Sequence, residues 1–339
     1  MKVTTFGLDL AKRVFQLHWV DMETGEICRR QLKRSEVAEF FANRAPAVVA
    51  MEACGSAHYW ARKLKAMGHE VKLIAAQFVR PFVKSNKTDA ADAQAIWEAA
   101  QRPGMKFVAV KSEGQQSVLT LHRVRELLVK MRTMQINQLR GLLYEFGADL
   151  PAGRQRGMAR MPDELAKLEQ TLPAMVIETL RSQRQHIEGL DKAIAEIEKK
   201  LFVWKKDDAA SQKLLAIPGV GLLTATAAVA TIGDAKAFQS GREFAAFLGL
   251  VPRQSGTGGR VKLLGISKRG DVYLRTLLCH GARSVITHQK EHGPWLDKLL
   301  ARRPFNAATV ALANKMARTI WALLAHDRTY AKGYVAKAA

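Results

Sequence analysis

The chain has 339 residues, with 53 Lys and Arg against 31 Asp and Glu and a formal net charge of +22. That length exceeds the usual single domain, so at least two domains are expected, and the charge attracts polyanions over long range, which makes nucleic acid the expected partner. The sequence has no apolar run near the roughly 20 residues of a membrane span, shows no cleavable leader and carries only three scattered cysteines, Cys28, Cys54 and Cys279; these features argue against a membrane protein, a disulfide framework and a Cys-type zinc site, and predict a soluble, cytoplasmic protein.

The opening KVTTFGLDLAKRVFQLHWVDMETGEICRRQLK holds β-rich runs with a turn around Asp21 to Gly25 and reads as a strand meander. Ser35 is the expected cap of a short helix through Phe41. AVVAMEACG follows as a buried strand, SAHYWARKLKAMG as a helix stopped by Gly68, and EVKLIAA as a fifth strand. KTDAADAQAIWEAAQ is an Ala-rich helix that stops near Pro103 and Gly104. Residues 1–112 thus form a mixed α/β domain.

From Glu113 to Phe146 the apolar positions Val118, Leu121, Val124, Leu128, Met131, Leu139, Leu142 and Phe146 keep helical spacing, and Gly147 is a suitable terminator. After a connection rich in Pro, Gly and Arg, residues Val176, Leu180, Ile187, Leu190, Ile194, Ile197, Leu201 and Trp204 follow the alternating steps of a heptad seam. Residues 113–207 are therefore expected as long coiled-coil helices, paired as a hairpin or with a second subunit; an ordinary bundle within one chain is the alternative. KLLAIPGVGLLTATAAVATIGD reads as helix, tight turn and apolar helix, GREFAAFLGL as another helix, and residues 208–339 as a mainly helical domain. From Val251 onward the acids are only Asp271, Glu291, Asp297 and Asp327, so positive charge concentrates at this end.

Four carboxylates carry the chemistry. Asp9 interrupts the apolar strand FGLDLA and Glu52 the apolar strand VVAMEA, where an uncompensated charge would lose several kcal/mol of solvation. Asp89 and Asp92 lie three apart on one helix face and repel each other. A Mg²⁺ ion, with Mn²⁺ as a substitute, resolves both problems and supplies an electrophile for phosphodiester chemistry. The competing reading has Asp89 capping its helix behind Thr88, with Asp9 or Glu52 paired to Lys12 or another basic neighbour. Two acids in apolar strands plus an Asp-x-x-Asp helix form a ribonuclease-H-like pattern.

FGLDLAK, MEACGSAHYW and NKTDAADAQAI, followed by LLAIPGVGLLTATAAVATIGD, FAAFLGLVPRQSGTGG and GISKRGDVYLRTLL, resemble the DEDD transposases of the IS110/IS1111 insertion-sequence family, relatives of the Piv invertases. The resemblance covers nearly the whole chain. It implies a RuvC-like N-terminal domain, a coiled coil and a C-terminal transposase domain, with Asp9, Glu52, Asp89 and Asp92 as the metal-binding acids. It also implies partners: donor and target DNA duplexes, a structured non-coding bridge RNA that selects them, and further copies of the chain in a dimer or tetramer, acting at the nucleoid.

VPRQSGTGGRVKLLGISKRG combines a serine, glycines and basic residues, which lets a backbone approach a phosphate closely, although such loops are mostly turns. By the resemblance Ser255 is the nucleophile that holds the cut strand as a phosphoserine, with Thr257 in reserve because many relatives read Ser-Ser-Gly-Gly here. Metal at the N-terminal acids would polarise the phosphate and assist loss of the Ser255 proton. Arg253, Arg260, Lys262, Lys268 and Arg269 are candidate nucleic-acid contacts, or a solvated basic face. Gly219 and Gly221 of IPGVG resemble a helix-hairpin-helix phosphate contact, or form a plain helix-to-helix turn. Trp295 and Trp321 are expected in the core, and His280, His288 and His292 are assigned no chemistry. Two rival functions remain: a metal-only junction nuclease and a non-catalytic nucleic-acid-binding scaffold.

Overall fold

The computed structural model describes residues 3–83 and 88–332, which fall into two compact units. The first is Met1–Gln116 together with Ile232–Gln239, and the second is Ser117–Thr231 with Ser240–Ala339.

The first unit is built on a six-stranded mixed sheet. Its strands are β1 (Thr5–Leu10), β2 (Val14–Val20), β3 (Ile27–Lys33), β4 (Val48–Glu52), β5 (Glu70–Ile74) and β6 (Phe107–Val108), in the spatial order β3-β2-β1-β4-β5-β6. Strands β1, β4 and β5 run parallel, whereas β2 and β6 are antiparallel to their neighbours. The meander expected for β1 to β3 is present, and the Asp21 carboxylate fixes its second turn by accepting from the N–H groups of Glu23 and Thr24. Strand β6 is too short to stand out in the sequence.

Alternation along the strands sorts their side chains between two layers. Phe6, Leu8, Val49, Met51 and Leu73 pack with Val37 and Phe41 of α1 (Val37–Ala42) and with Trp60 and Leu64 of α2 (Ala57–Ala66). On the opposite face Ala50 and Ile74 meet Val79 of α3 (Ala76–Val79) and Ala95, Ile96 and Ala99 of α4 (Asp89–Ala100). The cap of α1 is Glu36 and not Ser35, because the Glu36 carboxylate is drawn back to the Lys33 N–H at 2.8 Å.

The second unit is helical apart from one hairpin. The long helices α5 (Glu113–Glu145) and α7 (Ala174–Asp207) run antiparallel, joined by Arg125–Glu198 at 2.6 Å, Arg132–Asp191 at 2.6 Å and Gln183 to Gln138 at 2.7 Å. Ile177, Leu180, Ile187, Ile194, Ile197 and Leu201 are the buried seam of α7. The connection between them is not irregular but a helix, α6 (Arg154–Leu168), in which Met161 and Leu165 are buried. The four-residue spacing of those two apolar side chains outweighs the N–H missing at Pro162.

Next come α8 (Ala209–Leu214), α9 (Leu222–Ile232) and α10 (Gly241–Phe247), capped by the Ser240 hydroxyl on the Glu243 N–H. A two-stranded hairpin follows, β7 (Pro252–Thr257) and β8 (Arg260–Ile266), then α11 (Val272–His288), α12 (Pro294–Leu300) and α13 (Phe305–Ala325). Among the described residues no helix is long and apolar enough to cross a membrane.

A buried polar centre ties three helices of this unit together. Thr226 of α9 gives its hydroxyl proton to the Leu222 carbonyl at 2.9 Å, so it accepts from Nε2 of His122 on α5 at 3.0 Å. Nδ1 of His122 then accepts from the Tyr273 hydroxyl on α11 at 2.9 Å. Burial, reinforced by the Arg125 charge, pushes the His122 pKa down to about 4. Folding therefore favours the neutral ring, and its contribution is complete above pH 6.5 and disappears as pH falls toward 4, about 3 kcal/mol in all. Unfolding measured between pH 7 and 4 should show this loss for the native protein and a flatter profile for His122→Gln.

Candidate active site

Strands β1 and β4 are parallel neighbours with Leu8 paired to Met51. One residue further along each strand lie Asp9 and Glu52, both on the face covered by α4 and both half-buried at the strands' C-terminal ends. Helix α4 reaches this edge because Gly7, two residues before Asp9 on the same face, has no side chain. A Cβ there would collide with the Ala93 carbonyl and lie 2.8 Å from Cβ of Trp97. This contact sets the first turn of α4, with Asp89 and Asp92, against the end of β1. Sequence reasoning passed over Gly7, although a glycine inside an apolar strand is a signal of close backbone approach.

Carboxylate oxygens of Asp9, Asp89 and Asp92 all lie within 4.8 Å of one another. Thr88 is the cap of α4, its hydroxyl accepting from the Ala91 N–H at 3.2 Å, so the cap is not Asp89 and that carboxylate remains available. Burial raises the Asp9 pKa to about 6, with further upward pushes from Asp92, Asp89 and Glu52 that outweigh a hydrogen bond from the Leu10 backbone. Among the described residues no Lys or Arg forms an ion pair with Asp9, Asp89 or Asp92. The donor set is all oxygen, and its crowded charge is what a divalent cation would relieve, so these residues fit one.

Ser255 belongs to the second unit, on β7. The turn joining β7 and β8 is Gly258–Gly259, both with positive φ (57° and 78°), the requirement of a tight type I′ hairpin, so the segment read as a glycine-rich loop is a β-ribbon. Ser255 pairs across it with Lys262 and Thr257 with Arg260, which puts these four side chains on one face; Val261 and Leu263 occupy the other. The whole of β7 is exposed, and Ser255 makes no side-chain hydrogen bond among the described residues. Arg253 is at the bulge between Pro252 and Gln254.

The base of the ribbon is rigid. Ser267 N–H donates to Val251 and Lys268 N–H to Gly249, while the buried Arg275 donates to the carbonyls of Leu248 at 2.8 Å and Arg269 at 2.7 Å. Lys268, with φ of 54°, and Arg269 thus belong to a tightly built backbone corner and retain exposed side chains.

Of the IPGVG pair, Gly219 faces the interior: a Cβ there would lie 2.7 Å from the Gly281 carbonyl of α11. Its need for glycine comes from helix packing, while Gly221 is exposed with open space around it. Trp295 is not core but 43% exposed, with the Lys315 ammonium 4.4 Å above its ring, whereas Trp321 is half-buried. His292 has a carboxylate neighbour, Asp297 at 3.5 Å, yet among the described residues no histidine joins a metal-capable cluster.

A mixed sheet with its acids at the ends of β1 and β4 and in the first turn of the packed helix α4 has the layout of a ribonuclease-H-like DEDD domain. Residues 6–147 match a family model described as "Transposase", of the DEDD IS110 type, and residues 211–295 match the "Transposase IS116/IS110/IS902 family". The "Probable family 20 transposase" of Pseudomonas aeruginosa is 51% identical over 98% of this chain and 100% of that protein. The transposase for insertion sequence element IS1328 of Yersinia enterocolitica is 42% identical over 97% and 99%, and that for IS1111A of Coxiella burnetii 43% over 98% and 92%. The chain belongs to the IS110 family of DEDD transposases.

Proposed function

We propose that this transposase cuts and rejoins DNA at the ends of an insertion sequence, with Mg²⁺ held by Asp9, Glu52, Asp89 and Asp92 and Ser255 as the nucleophile. The observation that carries this reading is the convergence of the Asp9, Asp89 and Asp92 carboxylates, with the proton affinity of Asp9 raised by burial and, beyond it, by the charges of Asp92, Asp89 and Glu52. Bound there, Mg²⁺ supplies a Lewis acid that withdraws charge from a phosphoryl oxygen.

Ser255 loses its proton as Oγ bonds to phosphorus, and the P–O bond to the departing strand breaks, with a proton taken up by the leaving oxygen. The phosphodiester bond energy is kept in the phosphoserine, so attack by a strand hydroxyl rejoins DNA and regenerates Ser255. Lys262, opposite Ser255, and Arg260, opposite Thr257, present positive charge to the phosphate from the same ribbon face, and the exposed Arg253, Lys268 and Arg269 add to it. Gly221 leaves backbone open to a phosphate oxygen. On a suicide substrate, Ser255→Ala should form no denaturant-resistant protein–DNA adduct while Thr257→Ala still does. Cleavage without an adduct in Ser255→Ala would transfer the chemistry to metal-activated water.

The excess of cations suits a guide RNA as well as two duplexes, a load of phosphate that falls away steeply with salt. The site of action is then the cytoplasm, at the nucleoid. Assembly as a homo-oligomer draws on α5, where Val124, Leu127, Met131 and Met134 form a stripe at heptad spacing, each between 40% and 60% exposed. Leu127→Lys with Met134→Lys should lower the particle mass to that of one chain in mass photometry, with helical circular dichroism retained.

A further inference from the structure

On the face of the sheet opposite the acids, a cleft of about 700 Å³ opens between the β1–β2 turn, the end of β3 and helix α2. Its walls are held in place by the backbone. Val14 pairs with Lys33, the Arg34 N–H donates to the Arg13 carbonyl at 2.8 Å, and the Phe15 and Trp60 rings meet edge to face at 5.2 Å. Five cations line it, Lys12, Arg13, Lys33, Arg34 and Lys63, and no carboxylate does. Among the described residues none of the five is in an ion pair, and the adjacent Glu36 carboxylate is engaged by the Lys33 backbone N–H.

Two aromatic rings sit among these charges. Trp60 is buried, with the Arg34 guanidinium 5.5 Å and the Lys63 ammonium 5.4 Å from its ring centre, so it orders the cations. Tyr59 meets Trp60 edge-on at 5.5 Å and is 47% exposed, leaving ring surface open to a ligand. Such a concentration of like charge is relieved by an anion. An acidic peptide would engage the cations but does not pair each charged unit with a planar ring as a nucleotide does, and a duplex keeps its base faces stacked inside. A row of cations beside an aromatic platform matches a single strand, whose phosphates meet the cations while a base stacks on the ring.

We propose that this cleft binds an unpaired polynucleotide strand, with its phosphates on Lys12, Arg13, Lys33, Arg34 and Lys63 and a base against Tyr59. Lys12 and Arg13 follow Asp9 by three and four residues, so a strand in the cleft passes the sheet edge where β1 ends. The inference does not depend on metal at the acids, and its test is made in EDTA so that failure of either reading is separately visible.

The full chain is titrated with short labelled oligo-dT, oligo-U and a DNA duplex of equal length. The triple variant Lys12→Gln, Arg13→Gln, Lys63→Gln should bind single strands at least ten-fold more weakly. Its slope of log affinity against log salt should fall by about 2, at roughly 0.7 per lost phosphate contact. Tyr59→Ala should weaken single-strand binding roughly ten-fold and leave duplex binding unchanged. The larger loss, with oligo-U or oligo-dT, identifies RNA or DNA as the natural strand. Unchanged affinity and slope in the triple variant would overturn the site. Equal effects of Tyr59→Ala on single strand and duplex, or no effect on either, would overturn the stacked-strand assignment. Should the triple variant melt below the native protein, the exposed single change Lys33→Gln provides the same reading, with a slope change of about 0.7.

Discussion

Asp9→Asn should abolish DNA strand cleavage and at the same time make the metal-free protein more stable. The side chain sits at the end of β1 with Asp89 and Asp92 within 4.8 Å, and its pKa of about 6 lies above the ordinary 3.8 because burial and three neighbouring carboxylates oppose its charge. The folded state thus holds the proton more tightly than the unfolded chain. Without metal, stability from this group is highest below pH 3.8, declines as pH rises toward 6 and stays low beyond it. After discounting for solvent reaching a half-buried group, the ionised carboxylate costs about 1–2 kcal/mol at neutral pH, which Asn removes. A lost metal ligand withdraws several kcal/mol from the transition state, and about 4 kcal/mol is a thousand-fold in rate. Calorimetry with and without Mg²⁺, beside a cleavage assay, checks both effects. The native protein should be stabilised by Mg²⁺ and Asp9→Asn scarcely at all; an active Asp9→Asn would remove the metal site from the mechanism.

Gly7→Val should reduce cleavage about a hundred-fold without touching any carboxylate. Its Cβ would enter the space held by the Ala93 carbonyl and the Trp97 backbone, both fixed in α4, so the helix must shift away from β1. Overpacking of this kind costs about 1–3 kcal/mol of stability, and displacement of reacting groups by about 1 Å can cost a hundred-fold in rate. Asp89 and Asp92 move with the helix while Asp9 and Glu52 stay on the sheet. Gly55→Ala is the matched control, since its added methyl meets nothing within 4 Å. Mg²⁺ affinity should fall in Gly7→Val and remain native in Gly55→Ala; an unaltered affinity in Gly7→Val would mean that α4 does not set the spacing of the acids.

Asp9, Glu52, Asp89 and Asp92 stood out as candidates because each signal is local, a charge inside an apolar strand or two charges three apart on a helix; of the four, Asp9, Asp89 and Asp92 have carboxylate oxygens within 4.8 Å of one another. Their spacing was not legible, because it depends on a tertiary contact at Gly7: a glycine in an apolar strand signals that some backbone comes close, but not that the partner is α4. The mixed α/β sheet followed from alternation and turn residues, while β6, two residues long, carries too little pattern to recognise. Pro162 and Gly153 disguised α6 as a connection until Met161 and Leu165 found partners on α5 and α7. At VPRQSGTGGRVKLLGI the glycines drew attention from the ribbon they make possible, since paired positive-φ residues between extended runs are a hairpin signal in their own right. On α5, helical spacing announced a helix but not which apolar residues it would cover: Leu139 is buried, whereas Val124, Met131 and Leu142 are exposed.

The sheet unit is assembled from two pieces of chain, Met1–Gln116 and Ile232–Gln239, with Gly233 close against Ala109. During synthesis every strand of that sheet leaves the ribosome well before its last segment is translated. The last segment of the unit is therefore added only after α5, α6, α7 and α9 are made. An open reading frame broken between Gln116 and Ile232 yields all six strands and the carboxylates they position, but without the Ile232–Gln239 segment that packs with them.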